Sequence, residues 1–305
     1  MKAVFFGLGS IGRRHVKLVQ KLCPDWELFA LRTRLGYFAG DTPEGIEPLG
    51  TWYEVKKLAP DVAFICNPTF LHIPTALECA DLGMHLFIEK PIGHSIEGLD
   101  YLIDFITDKN LTAYVAYPLH FHDSVAELQK VVAGERVLHA EMVCTSDLAS
   151  WRSGAANKYY SAYEDKGGGA LLDVSHELYL AEHLFGSTIL LKGIRGCAAE
   201  ATVDTDDYID VFTKHLSGVV CNIHINLFTK NVPERWVKLH LESGRRVMIH
   251  TNPWPEEMDK AFERQMAHFV SNLGNPHLEG NLASCVPLFR KIVAFREETR
   301  SCLKC

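Results

Sequence analysis

The sequence predicts an α/β protein with an N-terminal doubly wound parallel sheet and a C-terminal α+β domain built on a large, mostly antiparallel sheet. Short apolar runs alternate with helix-like stretches through residues 1–118, which is typical of right-handed βαβ crossovers. Longer runs of alternating polar and apolar residues then follow, with Ser-Gly turns, which indicates an antiparallel meander with one covered face. We therefore predict domains at 1–118 and 119–305, with the C-terminal helix packing back on the first.

The first domain is predicted from its apolar runs and helix signals. Ser95 has the chemistry of a helix N-cap, and Glu97 would lie in the first turn of that helix. The predicted strands are Lys2–Phe6, Glu27–Leu31, Val62–Cys66, Leu86–Ile88 and Ala113–Ala116. The predicted helices are Ile11–Leu22, Ile73–Leu82 and Ser95–Asp108.

The second domain begins with a predicted helix and continues mainly as strands. Gly186 stands where a C-cap would end a single helix over Ala170–Phe185. The other predicted helices are His122–Val132, Pro255–Leu273 and Asn281–Arg300, and the predicted strands are Val137–Thr145, Tyr208–Leu216, Val219–Phe228, Trp236–Leu241 and Arg246–His250.

Composition narrows the possible partners. The 305 residues carry a formal net charge of −7, which argues against a nucleic-acid partner, and no apolar run approaches the length of a membrane span. Met1 leads directly into the first strand, so we expect no signal peptide and a cytoplasmic location. Nine scattered cysteines indicate a reducing compartment, and Cys302-x-x-Cys305 lacks the second pair of a zinc site, so no metal site is expected.

A glycine-rich turn follows the first predicted strand in the sequence GLGSIG. In this strand, turn and helix context, Gly7 would form the turn, Gly9 would let a pyrophosphate approach, and Gly12 would let the helix pack on the strand. Ser10 and Ile11 would begin the helix, whose N–H groups would bind the phosphates. The pattern predicts a dinucleotide site, although the motif alone is compatible with a tight turn that binds nothing.

A second motif, Glu89-Lys90-Pro91, follows another apolar strand. Residues just past the carboxyl ends of parallel strands line the ligand crevice of such sheets. Lys90 is therefore predicted to stand beside a nicotinamide dinucleotide, with Glu89 fixing the loop. Taken alone, the motif would be a solvated loop.

A third motif, GGGALLDVSHE, lies across the start of the helix predicted over Ala170–Phe185. Asp173 and His176 are three residues apart, so a continuous helix would present both on one face. An acid beside an imidazole suits a base and the residue that orients it. The alternative is a helix-face hydrogen bond with no catalytic task.

Together these motifs resemble those of the Gfo/Idh/MocA oxidoreductases, nicotinamide-dependent enzymes that act mainly on sugars and cyclitols. The matching segments are GLGSIGRRH, NPTFLH, GMHLFIEKP and GGGALLDVSHE, all before about residue 190. The resemblance implies a Rossmann domain, a C-terminal sheet that forms dimers or tetramers, and relatives in polysaccharide and nucleotide-sugar biosynthesis. It also implies that Lys90 and His176 are catalytic, that Asp173 assists, and that Asn67, Pro68 and His72 lie near the cofactor.

The chain departs from that family pattern at two places. The family spaces its acid and histidine four residues apart and places a second Asp after the histidine, where this chain has Tyr179. Whether His176 or Lys90 accepts the proton therefore stays open. His120 stands where relatives often have an arginine, which predicts altered substrate contacts.

The cofactor prediction depends on the end of the second strand. Arg32 lies twenty residues beyond Gly12, where an acid would bind the ribose hydroxyl of NAD and an arginine the phosphate of NADP. With Thr33 and Arg34 in the same loop, NADP is favoured over NAD. Trp151, Arg152, Tyr159 and Tyr163 form a polar and aromatic segment suited to a sugar, or else a surface loop.

The sequence thus predicts hydride transfer between NAD(P) and a hydroxyl or keto carbon of a sugar, cyclitol or nucleotide sugar. Two alternatives remain: a redox-relay sugar enzyme with no net oxidation, and a non-catalytic dinucleotide-binding regulator. The particular sugar, the reaction direction and the number of subunits are not predicted.

Overall fold

A computed structural model describes residues 1–32, 42–150, 159–198, 204–230, 232–251 and 255–303. The chain forms two compact units. Unit 1 comprises Met1–Ala116 and Glu263–Cys285, and unit 2 comprises Tyr117–Phe262 and Val286–Cys305. Among the described helices, none is both long and apolar enough to cross a membrane.

Unit 1 contains a six-stranded parallel sheet in the order β3-β2-β1-β4-β5-β6. This order confirms the predicted doubly wound fold. The strands are β1 Lys2–Phe6, β2 Glu27–Leu31, β3 Ile46–Leu49, β4 Val62–Ile65, β5 His85–Glu89 and β6 Ala113–Ala116. The helices are α1 Ser10–Leu22, α2 Trp52–Leu58, α3 His72–Asp81 and α4 Leu99–Asp108.

The core of unit 1 contains a cluster of aromatic rings. Phe5 and Phe64 on neighbouring strands stack with ring centroids 4.6 Å apart, and Phe64 lies 5.3 Å from Phe87 on the next strand. Phe269 packs edge-on against Phe87 at 5.2 Å. The segment 263–285 therefore completes the core of this unit.

Helix α4 begins later than predicted. Gly98, with φ of +76°, is its N-cap, and Ser95 only accepts a hydrogen bond from the Glu97 N–H at 3.4 Å. Because Gly98 has a left-handed backbone conformation, the helix does not extend N-terminal to Leu99, and the predicted start at Ser95 is wrong.

Unit 2 contains a mixed sheet in the order β12-β11-β7-β10-β9-β8. β7 and β10 run parallel and the other neighbours antiparallel, so the predicted simple meander is wrong although the sheet is mostly antiparallel as predicted. The strands are β7 Val137–Thr145, β8 Thr188–Gly196, β9 Tyr208–His215, β10 Val220–Asn226, β11 Arg235–Leu241 and β12 Arg246–His250. The helices are α5 Asp123–Gly134, α6 Ala170–Asp173 and α7 His176–Phe185, while α8 Pro255–Ser271 and α9 Leu282–Glu298 follow the sheet.

The two faces of this sheet differ. Helices α6 and α7 pack against β9 and β10 on the inner face, where residues such as Ile209 and Ile223 are buried. The alternate residues of each strand point to the opposite face, which we call the outer face. It carries partly exposed polar side chains together with Phe212 and Ile194, which are 42% and 53% exposed.

Candidate active site

The glycine turn of unit 1 leaves room for a ligand at one position and none at the other two. Gly7 has φ of +100°, and a Cβ there would lie 2.5 Å from the Cys66 carbonyl oxygen. A Cβ on Gly12 would lie 2.1 Å from the Gly7 oxygen, whereas a Cβ on Gly9 would meet nothing within 4 Å. Gly7 and Gly12 are therefore required by packing, and Gly9 faces open space, as a phosphate-binding turn requires.

The N-terminus of α1 has the features of an anion site. Gly9 is its N-cap and provides no side-chain hydrogen bond, and the first turn, which contains Ser10 and Ile11, has no acidic residue. The N–H groups of this turn and the helix dipole favour a negative group. These residues fit a dinucleotide pyrophosphate.

Arg32 directly follows the carboxyl end of β2, and its N–H donates to the Leu49 oxygen at 2.7 Å. This is the strand end at which a ribose or its phosphate is recognised in such sheets. The other two predicted residues of this loop, Thr33 and Arg34, lie outside the described residues.

His72 connects the ends of β4 and β5. Its Nε2 lies 2.8 Å from the Asn67 oxygen, and its Nδ1 lies 2.8 Å from the Pro91 oxygen. Burial lowers the pKa of His72, although both carbonyl contacts act in the opposite direction. Pro68 lies between these anchored points, so the ring fixes the segment after β4 relative to the cis Lys90–Pro91 bond.

A buried contact between His15 and Glu89 holds the backbone at Lys90 in place. His15 of α1 lies 2.6 Å from Glu89 through Nε2 and Oε1, with the His15 side chain fully buried and that of Glu89 9% exposed. The second oxygen of Glu89 accepts the Lys90 N–H at 3.2 Å. No role was predicted for His15, because a histidine inside a helix has no signal that identifies a partner 74 residues away.

The predicted single helix over Ala170–Phe185 is wrong. Helix α6 ends at Asp173, Val174 has φ of −113° and ψ of 31°, and α7 begins at His176. Asp173 and His176 therefore do not share the face of one continuous helix. The two-residue break brings the acid to the end of one helix and the histidine to the start of the next.

The ring of Tyr117 packs against His176 within unit 2. Tyr117 stands edge-on to the His176 ring at 5.9 Å and stacks on Tyr179 at 4.1 Å. His120 stacks on His183 at 4.3 Å. Burial, with the neighbouring His183, lowers the pKa of His120 to about 3. The altered substrate contacts that the sequence predicts at His120 stay a prediction.

The glycines before α6 lie in close contact with other segments of unit 2. A Cβ on Gly168 would lie 2.3 Å from the Ser161 oxygen, and one on Gly169 would lie 2.4 Å from Thr205 Oγ1. Asp206 accepts the Leu171 N–H at 2.8 Å and holds the start of α6. These contacts fix the backbone that leads to Asp173 and His176.

The predicted substrate segment is only partly described. Tyr163 lies under the ammonium of Lys166, which is 4.2 Å from the ring centroid, and Tyr159 is partly exposed. Trp151 and Arg152 lie outside the described residues. The described part shows no more than a tyrosine-rich loop that precedes Gly167.

The comparisons with known proteins agree with the fold of unit 1. Residues 1–117 match the sequence profile of the oxidoreductase family with an NAD-binding Rossmann fold, Gfo/Idh/MocA. These residues belong to that family. A 2,7-anhydro-N-acetylneuraminate hydratase from Escherichia coli is 24% identical over 188 residues, or 60% of this chain and 50% of the relative. The chain spans about half the length of the first curated relatives it matches.

Solved structures with low sequence identity share the fold of the whole chain. Myo-inositol 2-dehydrogenase from Lactobacillus plantarum has a TM-score of 0.81 at 18% identity, covering 99% of this chain and 97% of its own. A levoglucosan dehydrogenase in complex with NADH and levoglucosan has a TM-score of 0.79 at 16% identity, with coverage of 99% and 97%. The predicted fold class is thus confirmed, the predicted family is matched by residues 1–117, and the roles of the individual residues stay predictions.

Proposed function

We propose that this Gfo/Idh/MocA protein is a nicotinamide-dependent oxidoreductase that transfers a hydride between NAD(P) and a hydroxyl or keto carbon of a sugar, cyclitol or nucleotide sugar. The observation that carries the proposal is the carboxyl edge of the unit 1 sheet. There the open turn at Gly9, the His72 clamp and Lys90 follow three neighbouring strands. The dehydrogenase relatives named above act on a cyclitol and an anhydrosugar, which supports this substrate class.

The cofactor would be held by the residues of that edge. Gly7, Gly9, Ser10, Ile11 and Gly12 would bind the pyrophosphate, and Asn67, Pro68, His72, Glu89 and Lys90 would line the nicotinamide end. When bound, the cofactor supplies the carbon that accepts or donates the hydride. We propose NADP as the preferred form because the Arg32 guanidinium can pair with a phosphate, whereas the acid that binds a ribose hydroxyl is missing there.

The chain's own residues would move the proton and stabilise charge. Lys90 would donate a hydrogen bond to the reacting oxygen and stabilise its negative charge. His176 would accept the hydroxyl proton during oxidation, and Asp173 would favour the protonated ring. His120, Trp151, Arg152, Tyr159 and Tyr163 are proposed as substrate contacts, with rings for sugar faces and polar groups for hydroxyls.

A second candidate function is a redox relay that leaves no net oxidation. It is favoured by the hydratase among the relatives, because adding water changes no overall oxidation state. Such an enzyme would convert an anhydrosugar without accumulating reduced cofactor. Product analysis by mass spectrometry, compared with cofactor absorbance in the same reaction, distinguishes the two functions.

We also propose that the chain forms a homodimer or homotetramer through the outer face of unit 2. Ile194, Phe212 and Met248 expose apolar surface there, at 53%, 42% and 49% of their areas. A cytoplasmic location fits the cysteines that the structure describes, which are free thiols. Sedimentation equilibrium of wild type and Phe212→Lys tests the assembly: a dimer that survives the charge at Phe212 would contradict this interface.

The deciding experiment titrates cofactor-free protein with NADPH and NADH, followed by turnover with a panel of sugars. Wild type should bind NADPH more tightly, and Arg32→Ala should weaken NADPH far more than NADH. Lys90→Met should retain cofactor binding and lose turnover, whereas Lys57→Met, an exposed lysine on α2, should match wild type. A Lys90→Met protein that binds the cofactor and keeps wild-type activity would refute the mechanism. A wild-type protein that binds the cofactor but turns over none of the sugars would favour a regulator.

A further inference from the structure

Three metal-ligating side chains meet on the outer face of unit 2, on strands that the proposed reaction does not use. His139 and Glu141 are two residues apart on β7, so both point to the same face. His240 on β11 stands directly across from His139 in the antiparallel register. The sheet hydrogen bonds therefore fix the backbone positions of all three.

Their ligand atoms are close enough to share one ion. The imidazole nitrogens and the carboxylate oxygen lie within 4.8 Å of one another, and His240 Nε2 is 2.7 Å from Glu141 Oε1. Zinc bonds of about 2.0–2.1 Å in a tetrahedral site place ligand atoms roughly 3.4 Å apart. A small rotation of the side chains meets that requirement without moving the strands.

Neighbouring side chains already orient the ligands. Asn222 of β10 hydrogen-bonds to the His139 ring, and the Lys238 ammonium lies 3.0 Å from Glu141 Oε1. Partners of this kind fix ring and carboxylate orientation in metal sites. Lys238, and Arg246 across from His240, oppose a dication and weaken the site without blocking it.

We propose that His139, Glu141 and His240 bind a divalent transition metal ion, with Zn²⁺ the best match. Two imidazoles and one carboxylate form a known zinc ligand set that leaves a fourth position for water or another ligand. The bound ion connects β7 to β11 across about a hundred residues of chain and stabilises the sheet against unfolding. The site depends on neither the cofactor nor the proposed reaction.

The sequence did not predict this site, and the reason is physical. His-x-Glu is only a two-residue alternation, which any strand with a polar face can show. The third ligand comes from a strand that is adjacent in the sheet but distant in the chain. Only the pairing of β7 with β11 brings the set together.

The test is equilibrium dialysis of the untagged full chain against buffered Zn²⁺, with the metal quantified per chain. Cys302→Ser and Cys305→Ser in every sample remove the terminal thiols as competing ligands. The parent protein should bind one Zn²⁺ per chain and show a raised Tm. Glu141→Gln and His240→Ala should each weaken binding by more than about 100-fold, since even the loss of an orienting partner costs 10- to 100-fold.

His224→Ala is the matched control. His224 lies on the same face, and its Nδ1 is 2.7 Å from Asp210 Oδ1, but that pair provides only two ligands. It should keep full zinc binding, and the Tm of each variant without zinc shows whether it folds. Should His240→Ala fail to fold, the near-isosteric Glu141→Gln decides. A parent that binds no Zn²⁺, a Glu141→Gln protein that binds it as well as the parent, or an equal loss in His224→Ala would overturn the proposal.

Discussion

Each unit of this protein buries a nitrogen-bearing side chain against a carboxylate, but the number of contacts differs. Among the described residues of unit 1, His15 Nε2 and Glu89 Oε1 form such a pair at 2.6 Å. Unit 2 has a network around Arg195, whose side chain is fully buried. Its five donors reach Glu164 at 2.9 and 3.1 Å, Asp206 at 2.8 Å, Thr299 at 3.0 Å and the Arg296 oxygen at 2.7 Å.

The difference indicates what each cluster does. The Arg195 network satisfies every donor of a permanent cation and connects the loop before Gly167, β8 and α9, so its effect is structural. Burial alone would raise the pKa of Glu164, but the hydrogen bonds from Arg195 and the charge of Arg296 lower it. The single His15 pair instead fixes one carboxylate next to Lys90. We therefore expect stability effects in unit 2 and activity effects in unit 1.

The largest expected effect is on stability, from Arg195→Leu. Removing the cation leaves Glu164 and Asp206 buried without their main partner, and breaking a buried pair in this way costs about 3–5 kcal/mol. Urea unfolding of the full chain, monitored by circular dichroism, measures the loss. Arg195→Lys keeps the charge but lacks the planar fork, so it should fall between wild type and the leucine variant. A leucine variant within 1 kcal/mol of wild type would show that the network is dispensable.

The second prediction concerns His15→Phe, which retains a ring against Phe87 but removes the contact with Glu89. Leaving the carboxylate without this partner should cost about 1–3 kcal/mol of stability. If the proposed function is correct, displacement of the Lys90 loop should lower kcat by about tenfold to a hundredfold, with the NADPH Kd nearly unchanged.

Steady-state kinetics with calorimetric cofactor binding separates these effects. His15→Gln, which can still donate to Glu89, should recover part of kcat. His85→Asn, at the opposite end of β5, serves as the control and should leave kcat unchanged. A stable His15→Phe protein with wild-type kcat would show that the pair acts on folding alone, like the Arg195 network.

The third prediction is a pH dependence of stability that originates at His120. Its folded pKa of about 3 is below the unfolded value of about 6.5, so between these values the unfolded chain binds a proton that the folded chain does not. Stability therefore falls as pH falls from 6.5 toward 3, by up to about 1.4 kcal/mol per pH unit. Urea unfolding at pH 7.5, 5.5 and 4.5 should show a shallower slope for His120→Phe. The exposed His277→Phe should keep the wild-type slope, and parallel slopes for all three proteins would contradict the assignment.

The buried parallel strands could be predicted from the sequence, whereas two of the four edge strands, β3 and β8, were missed. Strands such as β4 are apolar throughout because both faces are covered. β3 was missed because it is a short edge strand with Pro48 inside it. β8 was missed because a register shift between Thr188 and Leu190 breaks the alternation of polar and apolar residues.

The candidate site shows the same limit. The glycine turn and Lys90 are local motifs whose position after a strand is visible in the sequence. The His15 to Glu89 contact and the hold of Asp206 on α6 join residues 74 and 35 positions apart, so only the folded chain reveals them. The break between Asp173 and His176 was missed because Val174 and Ser175 lack the glycine or proline that normally marks a helix end.

The smallest expected effect comes from Lys192→Ala, which breaks an ion pair on the same strand as Arg195. Lys192 Nζ lies 2.8 Å from Glu298 Oε2, but the two side chains are 52% and 58% exposed. Water and salt screen this pair, so the loss should be less than about 1 kcal/mol and should vanish at high salt. Urea unfolding at low and high ionic strength measures it. A cost close to that of Arg195→Leu would mean that burial is not what separates the Arg195 network from ordinary surface pairs.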